Sequence, residues 1–274
     1  MKILGVHGVH NYQAGLHARQ ASHRLATWWR DAILNGLEAE SEEGRLGVDV
    51  AYYAHHLHRG IAQGDDDPAH LDPVVQRHIV EWATLLGAPQ VTAQGRLTVP
   101  VRSAVDWVAD RYGLDHRLVR IFVTKFFREL DLYFSDPVSR EAARSEVVDA
   151  VIRHRPDVII AHSLGSVIAY EALWTMGPSA VDLLVTLGSP LAMPDVVYER
   201  LAPHPGPRAR PPGVARWINI ADPGDFVAVP QGGVAARFAD LTANLQDVVG
   251  VFSYHKATSY LACGAVSGII ASHL

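Results

Sequence analysis

Ser163 lies in Ala161-His162-Ser163-Leu164-Gly165, a small-x-Ser-x-Gly pattern. A serine hydroxyl becomes a useful nucleophile only when a neighbouring base removes its proton. The pattern suits such a serine because small residues on either side let a sharp strand-to-helix turn close around it. Spacing alone does not decide the matter, since a chain of 274 residues yields roughly a few tenths of such a match by chance. The surroundings do. "DVII" (157–160) before the serine reads as a strand, and "GSVIAYEALWTMG" (165–177) after it reads as a helix. A helix N-terminus beneath the hydroxyl adds positive potential and N–H donors for a developing oxyanion. The competing reading is a serine that only caps the helix or shapes the turn. His162 fills the variable position and is expected to pack beside the site.

A serine so placed needs a strand frame. "KILGVH" (2–7), "LGVDVAYYA" (46–54), "DVIIAH" (157–162), "VDLLVTLG" (181–188) and "RWINIA" (216–221) are short apolar runs that read as strands. Residues 16–40 read as a helix. From about 57 to 135 the pattern is helical with no convincing strand; 74–87, 99–113 and 114–134 are its helices. Residues 135–156 form a further helix, capped by Ser or Asp and stopped by Pro156. The C-terminal third ends in apolar helices. Strands separated by helices imply a parallel sheet covered on both faces. One domain over 1–274 is expected, with 57–135 as a helical, lid-like insertion.

Composition narrows the function. Formal net charge is −5 and apolar residues make up 49%, so a large core can form. No basic stripe marks a nucleic-acid footprint. Cys263 is the only cysteine, so no intrachain disulfide exists, and a buried small residue is expected there. Residues 1–11 lack the longer apolar segment of a signal peptide, and no uninterrupted apolar stretch is long enough to cross a membrane. A cytoplasmic protein without integral membrane association is expected.

Three motifs in order resemble the α/β-hydrolase superfamily, in its lipase-like and PGAP1-like serine esterase branch. "AHSLGSVIAYEAL" is similar to that family's nucleophile turn and following helix. "VTLGSPL" is similar to the segment after its next strand, and "GVHGVHN" to its opening strand with a His-Gly dipeptide. The resemblance spans 1–55 and 140–260 and leaves the middle helices uncovered. Ala161 stands where most members carry glycine.

The resemblance implies a triad in the chain order Ser, acid, His. Three histidines follow Ser163. His204 comes too early for that order, and His273 is the penultimate residue. His255, after the last expected strand, is the expected base. For the acid, "ADPGDFVAVP" offers Asp222 and Asp225. Asp222 begins Asp-Pro-Gly, which is good turn chemistry. Asp225 begins "DFVAVP", similar to the segment that carries the family's acid, and is the first choice; Asp222 is the alternative and Asp195 a distant third. The residue after the nucleophile, Leu164, supplies one oxyanion-hole amide, and by resemblance Val9 supplies the other. His10 and Asn11 line the same wall, Asn11 either as a donor to substrate or as a cap for its own loop. On the helix 114–134, Phe122 and Phe126 are expected to face the substrate, although core packing explains most of that helix's aromatics.

Fifteen histidines require a metal site to be weighed. His55 and His56 are adjacent, so on a strand they would point to opposite faces, and no Cys or HExxH pattern supports zinc. Around "GDDDP" (64–68) there is no EF-hand pattern. No metal and no cofactor are expected. The leading expectation is a serine hydrolase that cleaves a small or lipid-like carboxylic ester through an acyl-enzyme. The first alternative is a thioesterase of polyketide or fatty-acyl biosynthesis, since the 165–173 segment is also similar to editing thioesterases. The second is an inactive, ligand-binding hydrolase fold.

Overall fold

In the computed structural model of the chain, residues 1–37, 44–60, 67–89, 98–177, 181–203, 208–249 and 255–274 are described. β1 (Lys2–Val6) leads to α1 (Ala18–Leu37) and β2 (Gly47–Ala51). Four helices follow: α2 (Pro73–Leu85), α3 (Thr98–Tyr112), α4 (His116–Ser135) and α5 (Pro137–His154). Alternation then resumes with β3 (Val158–His162), α6 (Leu164–Met176), β4 (Val181–Leu187), β5 (Val214–Ala221), the short α7 (Gly233–Arg237), β6 (Ala243–Gln246), α8 (Ala257–Leu261) and α9 (Gly264–Ala271).

The described strands form one open six-stranded sheet in the order β2-β1-β3-β4-β5-β6. Every neighbouring pair is parallel. The period of two along each strand sends side chains into two separate cores. Val158 and Ile160 of β3 join Ile3, Val50 and Val185 against Leu25, Trp29 and Ile33 of α1 and Val266 of α9. Ile159 and Ala161 join Leu4, Val6 and Leu184 on the other face, beneath α2 to α6. Full burial of each large aliphatic or aromatic side chain contributes about 1.5–3 kcal/mol. The α/β class with both faces covered is as the sequence implies. Among the described residues no helix is long and apolar enough to cross a membrane, and Cys263 is buried.

Local chemistry sets the helix ends. Asp72, Asp115 and Asp136 cap α2, α4 and α5, each accepting a hydrogen bond from a first-turn N–H. Pro73 and Pro137 occupy first helical positions, where no N–H is needed. Arg155, with φ 45°, ends α5 before Pro156. Inside the helical layer, buried Glu171 of α6 accepts from Tyr133 Oη of α4 (2.7 Å) and pairs with Arg140 of α5, so three helices share one satisfied charge.

Two expectations need correction. β6 is absent from the sequence reading, because "ANLQ" alternates partly buried with exposed residues and has no apolar run. The second strand was expected to continue to 54 with alternation carrying on through the histidines. It stops at Ala51. Tyr53 takes helical angles (φ −112°, ψ −3°), and Ala54–His56 is a 3₁₀ turn. The His55 and His56 rings consequently lie together, centroids 3.8 Å apart.

Candidate active site

A parallel sheet brings the carboxyl ends of all its strands to one rim. The chain leaves β1 for β2 on one side and returns to β3 on the other, so strand order reverses between β1 and β3. In open α/β sheets the crevice outside such a reversal is where ligands bind. Here the loops after β1 and β3 meet. A Cβ on Gly8 would stand 2.8 Å from Ser163 Cβ. Gly165 is needed for that approach, since a Cβ there would fall 2.2 Å from the His7 carbonyl oxygen.

Ser163 sits at the turn between β3 and α6 with φ 54° and ψ −131°, a region that costs a non-glycine residue of order 1–3 kcal/mol. The turn is pinned by Ser163 N–H donating to Leu187 O at 3.0 Å and by Ser166 Oγ donating to the Ser163 carbonyl at 2.6 Å. The Ser163 side chain makes no capping bond to α6. Its Oγ lies 2.8 Å from His255 Nε2.

His255 Nδ1 in turn lies 2.8 and 3.0 Å from the two carboxylate oxygens of Asp225. Asp225 is fully engaged. Oδ1 also accepts from Val227 N–H at 2.8 Å, and Oδ2 from Tyr260 Oη at 2.7 Å. Burial, then the Asp225 charge, push the Tyr260 phenol well above its ordinary range, so it remains a donor. Gly188, with φ 52°, admits this carboxylate: a Cβ there would lie 2.6 Å from Asp225 Oδ2. Sequence reading offered no sign of Tyr260, which is one aromatic in an apolar helical run.

Asp222 does different work three residues earlier. Its carboxylate accepts from Gly224 N–H and Val249 N–H, each at 2.6 Å, and its carbonyl accepts from Asp225 N–H. It is the turn-former of the pair. Asp195 is exposed, with its N–H on Glu199. His204 lies outside the described residues, as do 64–66 of the acidic stretch. Asp67 caps its own 3₁₀ turn and pairs with Arg102.

The remaining expected residues surround this row. Leu164 opens α6, so its amide is among the first-turn N–H groups without an intrahelical acceptor. Val9 is buried beside Gly8. The Asn11 amide donates to the Gly8 and Val9 carbonyls at 3.0 and 2.9 Å, which is the loop-capping alternative. His10 contacts the edge of Phe122, and its N–H donates to Glu129 at 2.9 Å. His10 also borders a cavity of about 450 Å³ that runs past Leu57, Lys125, Glu129 and Leu132. Phe122 stands edge-on to His255 at 5.6 Å, and Phe126 is buried behind it, stacked at 5.9 Å. Ser163 and the His255 side chain are thereby shielded from solvent.

Two further histidines are held neutral by burial. His7, stacked on Tyr53 and bonded to Gly8 O at 2.8 Å, has its pKa lowered to about 4, chiefly by desolvation. His162 packs against the His255 and Tyr260 rings. Burial first, then the neighbouring His255 charge, hold it well below the usual imidazole range.

Compared with models of known protein families, with curated proteins and with solved structures, the chain matches none.

Proposed function

We propose that the protein is a serine hydrolase of α/β-hydrolase type that cleaves a carboxylic ester through an acyl-enzyme. The observation that carries this reading is the single hydrogen-bonded row from Ser163 Oγ through His255 to Asp225, set at the rim where strand order reverses. His255 Nε2 takes the Ser163 proton as Oγ attacks the ester carbon. The tetrahedral oxyanion is met by the Val9 and Leu164 amides. His255 returns the proton to the departing alcohol, and a water, deprotonated by the same nitrogen, releases the acid. Asp225 holds the Nδ1–H tautomer and stabilises the imidazolium. Helices α2 to α4 act as a cap, with Phe122 over His255 restricting water and entry.

The reading is tested by a fluorophosphonate probe followed by peptide mapping. Labelling at Ser163, lost in Ser163→Ala, is the expected result; no labelling of folded wild-type protein would favour a binding-only role. A parallel panel of p-nitrophenyl esters and acyl thioesters separates esterase from thioesterase.

A further inference from the structure

A second imidazole–carboxylate cluster lies away from Ser163. His55 and His56 occupy the 3₁₀ turn after β2, and Glu146 faces them from α5. His56 Nε2 is 3.2 Å from Glu146 Oε1, and His55 Nε2 is 3.7 Å from the same oxygen. One donor atom from each residue lies within 4.8 Å of the other two. Donors on a tetrahedral zinc ion, with bonds of about 2.0–2.1 Å, stand about 3.3 Å apart. The two imidazole nitrogens stand 3.2 and 3.7 Å from the carboxylate oxygen, close to that spacing, so a small side-chain rearrangement would bring all three donors onto one ion. Two imidazoles and one carboxylate, with a fourth position left to water, are a zinc donor set.

Hydrogen bonding alone leaves this cluster poorly satisfied. Glu146 Oε1 bonds His56, while 3.7 Å is too long for a bond to His55. The other ring nitrogen of His55, Nδ1, is buried and has no partner among the described residues. This imidazole packs against Tyr52, and its Nε2 has no hydrogen bond among the described residues, only Glu146 Oε1 at 3.7 Å; coordination would give that nitrogen a partner. His58, by contrast, is stacked on Tyr12 and stays apart from the set.

We propose that His55, His56 and Glu146 bind one divalent transition-metal ion of the zinc class, tying the turn after β2 to the middle of α5. His154, the last residue of α5, already pairs with Asp49 of β2 at 2.9 Å. Glu146 lies eight residues earlier, about 12 Å along the helix axis, so the ion would add a second and distant fastening. The site makes no use of Ser163, and the inference holds whether or not the protein is a hydrolase.

The experiment uses the full chain stripped with a chelator and dialysed against zinc chloride at micromolar concentration. Bound metal is measured by elemental analysis, and cobalt substitution is followed by visible absorption. Wild type should take up one zinc per chain and show the intense bands of four-coordinate cobalt. Zinc should also raise the thermal midpoint by roughly 5 °C at saturating concentration, because it binds the folded state alone. Glu146→Gln and His56→Ala should each weaken uptake at least tenfold while their metal-free midpoints stay near that of metal-free wild type. Should His56→Ala fail to fold, Glu146→Gln, a half-exposed position, carries the test. The proposal is overturned if wild type takes up no zinc, or if folded Glu146→Gln binds it as tightly as wild type.

Discussion

The row at Ser163 and the cluster at His55 both contain imidazole and carboxylate, yet they are arranged in opposite ways. In the row the groups stand in series. His255 turns Nδ1 to Asp225 and Nε2 to Ser163, and both Asp225 oxygens accept from further donors. Its carboxylate and imidazole are 0% and 5% exposed. Each ring nitrogen of His255 thereby faces one partner residue. In the cluster both imidazoles aim at one carboxylate oxygen, with side chains 28–36% exposed and His55 Nδ1 without a partner among the described residues. Lone pairs that converge on a point suit a cation; lone pairs arranged in series suit a proton.

The largest test of that contrast is on the row. Ser163→Ala or His255→Ala should lower kcat by about a million-fold, the scale seen when either member of such a unit is lost. Neither should alter zinc uptake at the other cluster. Near-wild-type turnover on every ester would remove the row's assigned role, and loss of zinc in these variants would deny that the two clusters are independent.

Next in size is the pair of aspartates. Asp225→Asn should cost about ten-thousand-fold in kcat through the wrong tautomer. Asp222→Asn should cost activity only a few-fold. It keeps one carbonyl oxygen but loses the acceptor for either Gly224 or Val249, so its penalty of about 1–3 kcal/mol should register in the unfolding midpoint. Steady-state kinetics and urea denaturation on both variants separate the two effects. If Asp222→Asn is the crippled enzyme, the assignments exchange.

Acid probes the segment that links the two clusters. The Tyr52 ring neighbours both His7 and His55, and His7 adjoins the Ser163 loop. Its folded pKa of about 4 lies below the ordinary 6.5. The unfolded chain therefore binds the extra proton between those values, and stability falls as pH drops from about 6.5 to 4. The loss from His7 is roughly 3 kcal/mol across that window, and buried His162 acts in the same direction. Urea midpoints measured from pH 7 to 4 should decline; a flat profile would mean that these imidazoles are not held neutral.

The smallest effect concerns Tyr260→Phe. Removing the hydroxyl takes one donor from Asp225 and the acceptor of Asp222 N–H. A decrease in kcat of about tenfold is expected, on the order of one charge-assisted hydrogen bond, with KM little changed. A rise in KM alone would place Tyr260 in substrate binding rather than in positioning the acid.

The sequence was most legible where chemistry is local. The turn at Ser163, the capped helices over 57–135 and the strands β1 and β3 to β5 follow from residue type and spacing within a few neighbours. That Asp222 forms the turn was legible because Asp-Pro-Gly announces it, whereas the preference for Asp225 as the acid rested on the resemblance of "DFVAVP". β6 was hidden because its residues are only partly buried, and the pattern of a buried strand never forms. Tyr260 and the convergence of His55, His56 and Glu146 were hidden for another reason. Tyr260 reaches both aspartates only once α8 has docked beneath the β5 loop. The histidines share a side only because Tyr53 leaves the extended conformation, which their own identities do not announce.

The all-parallel sheet has a consequence for how the molecule reaches its working state. Among the described strands every neighbouring pair is parallel, so each strand meets its neighbour only after a crossover. Ser163 and His255 are 92 residues apart in the chain, and His255 and Asp225 are 30 apart. Loop closures of that span are slow and late compared with helix formation. In refolding, helical circular dichroism should therefore recover ahead of turnover, and the appearance of activity would time the closing of the last crossover.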